Sequence, residues 1–282
     1  MKNSILITGA TGFIGRHLIK KISNYSIAVD ENGKNIDLRI RKDVLKMKRA
    51  DTVIHLAAKI PSEKNYSKNT FFEHNFLGTL NILEYCVQKK IKKIIFVSSY
   101  VYGNPKKNPI NEKYEVKPHN TYAKSKVLSE ELCKIYAEKY KIQIIILRPF
   151  NIFGYLQKDN SLISNIMKSI KNNSSITIIN KNNKRDYLFI DDLIEVIIKL
   201  INYECKFEIF NIGSGKSYSF ENIIQLFEKK SKKKIKRKYK ISKENSIPKI
   251  QADITKIKKE IKWNPKYTLV EGIEKIIFKN TK

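Results

Sequence analysis

"SILITGATGFIG", residues 4–15, decides the fold. Three aliphatic residues and a threonine run straight into Gly9, Gly12 and Gly15, and an apolar helical pattern follows over about 14–23. In a strand-turn-helix unit of this kind the glycines permit a tight turn and a close approach of backbone to a pyrophosphate, whose charge then sits at the helix N-terminus. The glycine spacing alone is a weak signal; the strand before it and the helix after it make it a strong one. Working outward, "SIAVD" (26–30), "TVIHLAA" (52–58), "KIIFVSS" (93–99) and "IQIIILRP" (142–149) read as buried strands, with helical patterns over about 70–89 and 122–140 between them. Such β-branched runs alternating with helices predict an α/β fold, a doubly wound parallel sheet of the Rossmann type covered on both faces.

After residue 150 the rhythm loosens. Helices are predicted near 160–171, 190–202, 219–230 and 269–279, and strands near 176–180 and 207–212. The expected organisation is a dinucleotide-binding domain over 1–154 and a smaller, mainly substrate-binding α/β portion over 155–282, with 184–214 returning to the parallel sheet. In "KIKRKYKI" the period of two puts Ile235, Tyr239 and Ile241 on one side of an edge strand whose other side is solvated lysine.

At 282 residues and 41% hydrophobic content the chain can bury one large core or a principal domain with a smaller partner. No apolar run approaches the ~18 residues that a membrane span needs, and "MKNSILITGA" reaches glycine too soon to form the apolar core of a secretory leader. The cytoplasm is the expected location. Cys86, Cys133 and Cys205 are odd in number and lack ligand spacing, so buried reduced thiols are expected, and with four scattered histidines no metal site follows. The net charge of +29 and "KKSKKKIKRKYK" (229–240) raise the question of a nucleic-acid or anionic-membrane partner. Lysine is heavily used along the whole chain, however, 49 against seven arginines, so the charge reads as composition bias and neither partner is expected. Each arginine then merits a question, because only its planar fork grips a phosphate bidentately.

Tyr122 and Lys126 in "YAKSK" stand four apart on a predicted helix and so share a face. A phenol ordinarily titrates near ~10, and a neighbouring cation lowers that, which suits a general base. The pair follows the fourth strand, whose end carries Ser98 and Ser99, and a hydroxyl there can hydrogen-bond a developing alkoxide or ketone. Asp30 ends the second strand, fifteen residues after Gly15. A carboxylate there would accept hydrogen bonds from an adenine ribose and repel a 2′-phosphate, favouring NAD over NADP, although beside Glu31 and Asn32 it also reads as a plain turn residue. A non-catalytic nucleotide- or polyanion-binding protein on this scaffold is the rival from another class, since fold alone does not establish activity; it would have no need to keep these reactive groups together.

Taken in order, "TGATGFIG", "VIHLAA", "FVSSYVYG", "HNTYAKSK", "LRPFNIFG", "KRDYLFIDD" and "WNPKYTLVEGI" resemble the extended short-chain dehydrogenase/reductase family, in its NAD-dependent nucleotide-sugar epimerase/dehydratase branch, from residue 4 to about 277. The resemblance implies a catalytic hydroxyl at Ser98, with Ser99 the competitor because the stretch aligns either way, and a catalytic Tyr122–Lys126 pair. It implies cofactor contacts at Gly9, Gly12, Phe13, Ile14, Gly15, Asp30, Asp37, Leu38, Leu56, Ala57, Ala58, Lys59, Asn75, Tyr122, Lys126 and Pro149. Substrate contacts would fall on Ser98, Asn151, Ser161, Leu162 and Arg185, the last on the diphosphate; the plain alternative for Arg185 is a salt bridge to Asp186 or Asp191. Lys243 stands where a second phosphate-binding arginine is often found, with less geometric specificity. Members that dehydrate their sugar carry an Asp-Glu pair after the catalytic hydroxyl, where this chain has Ser99 and Tyr100, and the chain is shorter than many epimerases. The reading that follows is an NAD-dependent C4 epimerase of a nucleotide hexose acting through a transient 4-keto sugar. The alternative is an NAD(P)H-dependent reductase of a 4-keto-6-deoxy sugar nucleotide, and in either case a homodimer formed by the helices at 70–89 and 122–140.

Overall fold

A computed structural model describes residues 4–29, 35–61, 67–157, 161–242 and 247–280. In chain order it runs β1 (Ile5–Thr8), α1 (Phe13–Leu18), β2 (Tyr25–Ile27), α2 (Arg41–Lys46), β3 (Thr52–His55), α3 (Lys68–Phe71), a π-helical segment (Phe72–Leu77), α4 (Gly78–Gln88), β4 (Lys93–Val97), α5 (Thr121–Tyr140) and β5 (Gln143–Pro149). There follow β6 (Asn151–Phe153), α6 (Leu162–Asn172), β7 (Ile176–Ile179), β8 (Lys184–Phe189), α7 (Ile190–Ile201), β9 (Phe207–Ile212), β10 (Ser217–Ser219), α8 (Phe220–Ser231), β11 (Arg237–Lys240), α9 (Thr255–Ile261) and α10 (Leu269–Asn280).

The first unit holds the described residues within 1–101, 118–148 and 194–210. Its sheet has the order β2-β1-β3-β4-β5-β9, and the pairs from β2 through β5 are parallel. Every side chain of β1, β3 and β4 is buried, as strands covered on both faces require. Leu6, Val53, Ile94, Phe96, Ile144 and Ile146 alternate onto one face and pack against α2, α4 and α5. Each such side chain contributes roughly 2 kcal/mol by leaving water. The chain moves outward from β1 to β2, then crosses back to β3 on the other side of β1. The order therefore reverses between β1 and β3, and ligands of such sheets collect outside the strand ends at that reversal.

The second unit holds the described residues within 102–117, 149–193 and 211–282. β8 lies between β6, to which it is parallel, and β10, to which it is antiparallel. β7 pairs in parallel with β11. The two acids of "KRDYLFIDD" that turn inward organise this unit. Asp186 Oδ1 accepts from the Ser214 amide and hydroxyl, both at 2.7 Å, and Oδ2 from the amides of Gly215 (3.0 Å) and Ala252 (3.1 Å). Asp192 accepts from the amides of Lys266 (2.8 Å) and Tyr267 (3.2 Å).

Several boundaries differ from the sequence pattern. The helix expected over 14–23 stops at Leu18, and Asn24 takes a left-handed φ of 60° just before β2. The helix expected over 70–89 is interrupted by the π-helical segment. Strand three ends at His55, where Leu56 and Ala57 turn their amides back onto Thr8. Residues 184–214 divide: β8 pairs within the second unit, whereas 194–210 belong to the first. The expected apolar side of the basic strand is a correction. Ile235 is buried, but Ile241 is 93% exposed, and Arg237 occupies the inner side because Glu221 and Glu228 of α8 meet it there at 3.5 and 3.2 Å.

Burial pushes the Asp186 carboxyl up to about 6 against the pull of its donors, so it is an anion at neutral pH. Asp186→Asn would turn an NH₂ group onto two of those donors, and two-state urea unfolding at pH 7 should show a loss of about 3 kcal/mol.

Candidate functional site

At the reversal point, the turn after β1 and the turn after β3 touch through backbone. A Cβ added to Gly9, whose φ is +71°, would lie 2.6 Å from the Ala57 nitrogen, and one on Gly15 would lie 2.3 Å from the Gly9 carbonyl oxygen. Gly12 N-caps α1 without a side-chain cap, and Phe13 and Ile14 form its first turn, an arrangement that presents backbone amides to an anion. Alongside is a cavity of about 1030 Å³ whose lining includes Ala10, Thr11, Arg16, Ile27 and Val29. The second turn, Leu56-Ala57-Ala58-Lys59, is fixed from both sides. The Leu56 amide donates to the Thr8 carbonyl at 3.2 Å, and Lys59 exchanges two bonds with the Asn75 side chain at 2.8 and 3.1 Å. Asn75 is buried within the π-helical segment and also donates to Ser125 Oγ at 3.0 Å; such segments are frequent at functional positions. The Asp37 carboxylate is held by Arg39 at 2.6 Å, which keeps its pKa below the ordinary value, and Leu38 leans on the core. Pro149 ends β5 and is buried. Asp30 lies outside the described residues.

α5 begins at an Asn120 cap, whose Oδ1 accepts from the Ala123 amide at 2.8 Å, so Tyr122 and Lys126 occupy successive turns. Tyr122 is hydrogen-bonded to Ser99; burial pushes the phenol up, and the Ser99 bond pulls it back. Lys126 is 2% exposed, donates to the Val97 carbonyl at 2.8 Å and sits 4.5 Å over the Phe96 ring. Burial pushes its ammonium down to about 8, with Glu130 opposing. The sequence pattern predicts that Lys126 depresses the Tyr122 pKa; here the ammonium is committed to a carbonyl and desolvation of the phenol prevails. Ser98 is occupied differently: its hydroxyl donates to Glu130 Oε1 at 2.5 Å. Arg148 grips the same carboxylate, Nε at 3.2 and 3.1 Å and Nη2 at 2.6 Å.

His55 has one self-consistent tautomer. The Thr79 hydroxyl donates to the Asn75 carbonyl at 2.6 Å, so it must accept from His55 Nε2 at 3.0 Å. Nδ1 then accepts from the Thr8 hydroxyl at 2.6 Å. Burial first, and the Lys126 cation second, push this ring down to about 3, so it is neutral beside the ammonium.

In the second unit, Arg185 Nη1 donates to the carbonyls of Lys184 (2.9 Å) and Ile247 (2.7 Å), and its guanidinium lies 5.3 Å over the Phe220 ring. The Asp186 carboxylate is engaged by its four donors, and Asp191 accepts from the Tyr155 hydroxyl at 3.4 Å. Asn151 donates to the Asp186 carbonyl at 3.1 Å. Ser161 caps α6. Leu162 opens that helix and, with Asn165 and Lys168, lines a cavity of about 350 Å³. Lys243 lies outside the described residues.

Glu130, Arg148 and His55 were not singled out by the sequence reasoning. Two carried a legible signal: Glu130 is four residues beyond Lys126 on the same helix face, and Arg148 is a charge inside an apolar strand.

The model of the NAD dependent epimerase/dehydratase family matches residues 5–213. The chain belongs to that family. It is 32% identical to a putative UDP-glucose 4-epimerase of Methanocaldococcus jannaschii over 97% of each chain. It is 30% identical to the dTDP-4-dehydro-6-deoxyglucose reductase of Escherichia coli over 98% of this chain and 97% of the relative. The Thermus thermophilus UDP-glucose 4-epimerase, solved in complex with NAD, superposes with a TM-score of 0.89 at 22% identity, covering 98% of both chains, a likeness of Rossmann fold. The chain is thus an enzyme of a family of sugar-nucleotide epimerases, dehydratases and reductases. Among the described residues, no helix is long and apolar enough to cross a membrane, and no group of three or more His, Cys, Asp or Glu could hold a metal ion.

The buried ammonium gives a direct check. In protein carrying lysine labelled at the ε-carbon, one NMR resonance should titrate near pH 8, far from the ~10.4 of ordinary lysines, and it should vanish in Lys126→Met. A spectrum with every lysine at the ordinary value would contradict this geometry.

Proposed function

We propose that the protein is a cytoplasmic, NAD-using 4-epimerase of a nucleotide sugar. The observation that carries this reading is the Ser99–Tyr122 hydrogen bond at the end of β4, with Lys126 one turn along α5. The glycine turn, the uncapped α1 start and the adjoining cavity fit a dinucleotide, whose pyrophosphate the Gly9–Gly15 turn would take. Leu56 to Lys59 would flank it, Asp37 and Leu38 would face its adenine, and Asp30 would favour the ribose without a 2′-phosphate. NAD supplies a hydride acceptor that can return what it receives.

The protein's own part is proton handling and positioning. Tyr122 takes the proton of the sugar 4-hydroxyl and gives it back. Its raised phenol needs help to ionise, and the Lys126 ammonium, held on the Val97 carbonyl one turn along the same helix face, is the cation placed to give it. Ser99 donates the hydrogen bond that steadies the developing oxyanion. The bond from the Ser98 hydroxyl to Glu130 supports Ser99 over Ser98 in that role. With Ser99 as the hydroxyl, the two residues that follow are Tyr100 and Val101, and neither can act as the carboxyl pair that elimination of water requires. Arg185, anchored through Nη1 and stacked on Phe220, suits the diphosphate, with Asn151, Ser161, Leu162 and Lys243 around the remainder of the substrate. The similarity to a 4-keto-sugar reductase favours reduction of a nucleotide-linked 4-keto-6-deoxy sugar as the second reading.

The two readings separate on incubation with UDP-glucose and with dTDP-glucose, with no reduced cofactor added: an epimerase interconverts the C4 epimers, whereas a reductase leaves them untouched. Tyr122→Phe should lower turnover by about 10³-fold, Ser99→Ala by about 10²-fold, and Ser98→Ala by clearly less than Ser99→Ala. Arg185→Lys should raise KM roughly ten-fold, equivalent to about 1.4 kcal/mol, while leaving NAD affinity alone. A fully active Tyr122→Phe enzyme would sink the assignment.

The same proposal includes a homodimer. Leu128 and Ile135 are 44% and 53% exposed one heptad apart on α5, and Leu77 of the π-helical segment that packs on α5 is exposed too. Light scattering should give twice the chain mass, and Leu128→Glu with Ile135→Glu should halve it; a wild-type monomer would remove the dimer.

A further inference from the structure

Three groups that the reaction itself does not consume meet under the active end of β4: Ser98, Glu130 and Arg148 are 3%, 4% and 4% exposed. Glu130 accepts the Ser98 hydroxyl at 2.5 Å and the Arg148 fork at 2.6–3.2 Å. A buried ion pair of this kind is seldom worth more to stability than apolar residues of the same volume, so its presence calls for a reason other than stability. The neighbouring residues give one. Val97 presents its carbonyl to Lys126, and Ser99 bonds Tyr122, so Ser98 lies in the backbone between both contacts. We propose that Glu130 is a positioning residue of the reaction: held by Arg148, it fixes Ser98, so that Val97 and Ser99 are presented to Lys126 and Tyr122, and it is the anion that keeps Lys126 charged.

The electrostatic part follows from what surrounds the ammonium. The titratable groups around it are His55 from β3, Tyr122, Cys133 and Glu130 along α5, and Arg148 from β5, which holds Glu130; burial raises the Tyr122 phenol. His55 is neutral, and burial raises the Cys133 thiol well above its ordinary value, so it too is neutral. Glu130 and Arg148 are the charged ones. Glu130 stands one turn from Lys126 on the same helix face and opposes the desolvation that pulls the ammonium down. As pH rises, Lys126 loses its proton, so anything that lowers its midpoint brings the alkaline loss of activity to lower pH.

This inference rests on the reading of Tyr122 and Lys126 as the reactive pair, and the test separates the two. Glu130→Gln keeps an acceptor for Ser98 but removes the charge. The Lys126 NMR midpoint should fall by about one pH unit, and the alkaline limb of kcat/KM should fall with it. Adding Arg148→Met removes the leftover cation and should move both part of the way back. If Glu130→Gln lowers Tm but leaves midpoint and limb in place, Glu130 is only structural and the proposal is overturned. The midpoint is read without substrate, so a protein inactive on every sugar nucleotide offered would defeat the functional reading while a shifted midpoint still upheld this one. Where Glu130→Gln yields no folded protein, Arg148→Lys carries the test. It keeps the charge but loses the fork, so kcat should fall several-fold at constant KM, and an unchanged kcat would overturn the positioning role.

Discussion

An ammonium with 2% of its surface exposed must be satisfied by the protein, and Lys126 dictates much of what surrounds it. The Val97 carbonyl accepts its hydrogen bond, the face of Phe96 lies 4.5 Å away, and His55, itself stacked on Phe96, is kept uncharged. The constraint propagates along polar chains. Thr8 and Thr79 fill both ring nitrogens of His55, which burial and the Lys126 cation keep neutral, and Thr79 is fixed by the Asn75 carbonyl. Asn75 in turn holds Lys59 and Ser125, so the turn after β3, the π-helical segment and α5 are locked together by one amide side chain. Moving any of these groups would leave a buried donor or acceptor unmet, at a cost of about 1–3 kcal/mol. The rigidity that keeps the ammonium in place also keeps the reactive phenol one turn away from it.

The same economy distinguishes two adjacent hydroxyls. Ser98 and Ser99 differ by one position, and at a strand end one position reverses the side to which a side chain points. One hydroxyl is turned inward to the Glu130 carboxylate; the other meets Tyr122. If Ser99 is the catalytic hydroxyl, as proposed, the residues after it are Tyr100 and Val101, and Val101 is fully buried and apolar.

The glycine turn, the strand-helix alternation and the Tyr122–Lys126 pair were legible because each rests on local spacing. Gly9 and Gly15 announce a backbone approach that no other residue tolerates, and i to i+4 is a helical neighbour whatever the fold. The choice between Ser98 and Ser99 was not legible, since both registers fit the motif and the bond that distinguishes their surroundings, from Ser98 to Glu130, is long-range. Nor could the pKa of Tyr122 be foreseen, because proximity in sequence to a lysine says nothing of where its ammonium points. The basic strand misled for a related reason. Its alternation was real, but Glu221 and Glu228, sixteen and nine residues before Arg237, supply the charge that made the inner side ionic.

"KRDYLFIDD" shows how a chain with a net charge of +29 uses its scarce groups. Self-repulsion among so many lysines opposes compaction, and its two buried acids, Asp186 and Asp192, accept hydrogen bonds from backbone amides. They pin 214–215, 252 and 266–267, segments with little regular structure to satisfy their own donors. Space is tight around these contacts: a Cβ on Gly213 would lie 2.6 Å from that of Ala252, and one on Gly272 would lie 2.6 Å from Phe153. Arginine is used with similar selectivity. Arg148 and Arg237 hold carboxylates where two-pronged geometry matters, whereas Arg185 is fixed through Nη1 to two carbonyls and laid over Phe220. Lysine could supply the charge at that place, but its flexible stem could not be oriented by carbonyls on one edge and a ring on its face. The planar group is thus set in direction by two carbonyls and a ring, contacts that use its donors and its flat face separately.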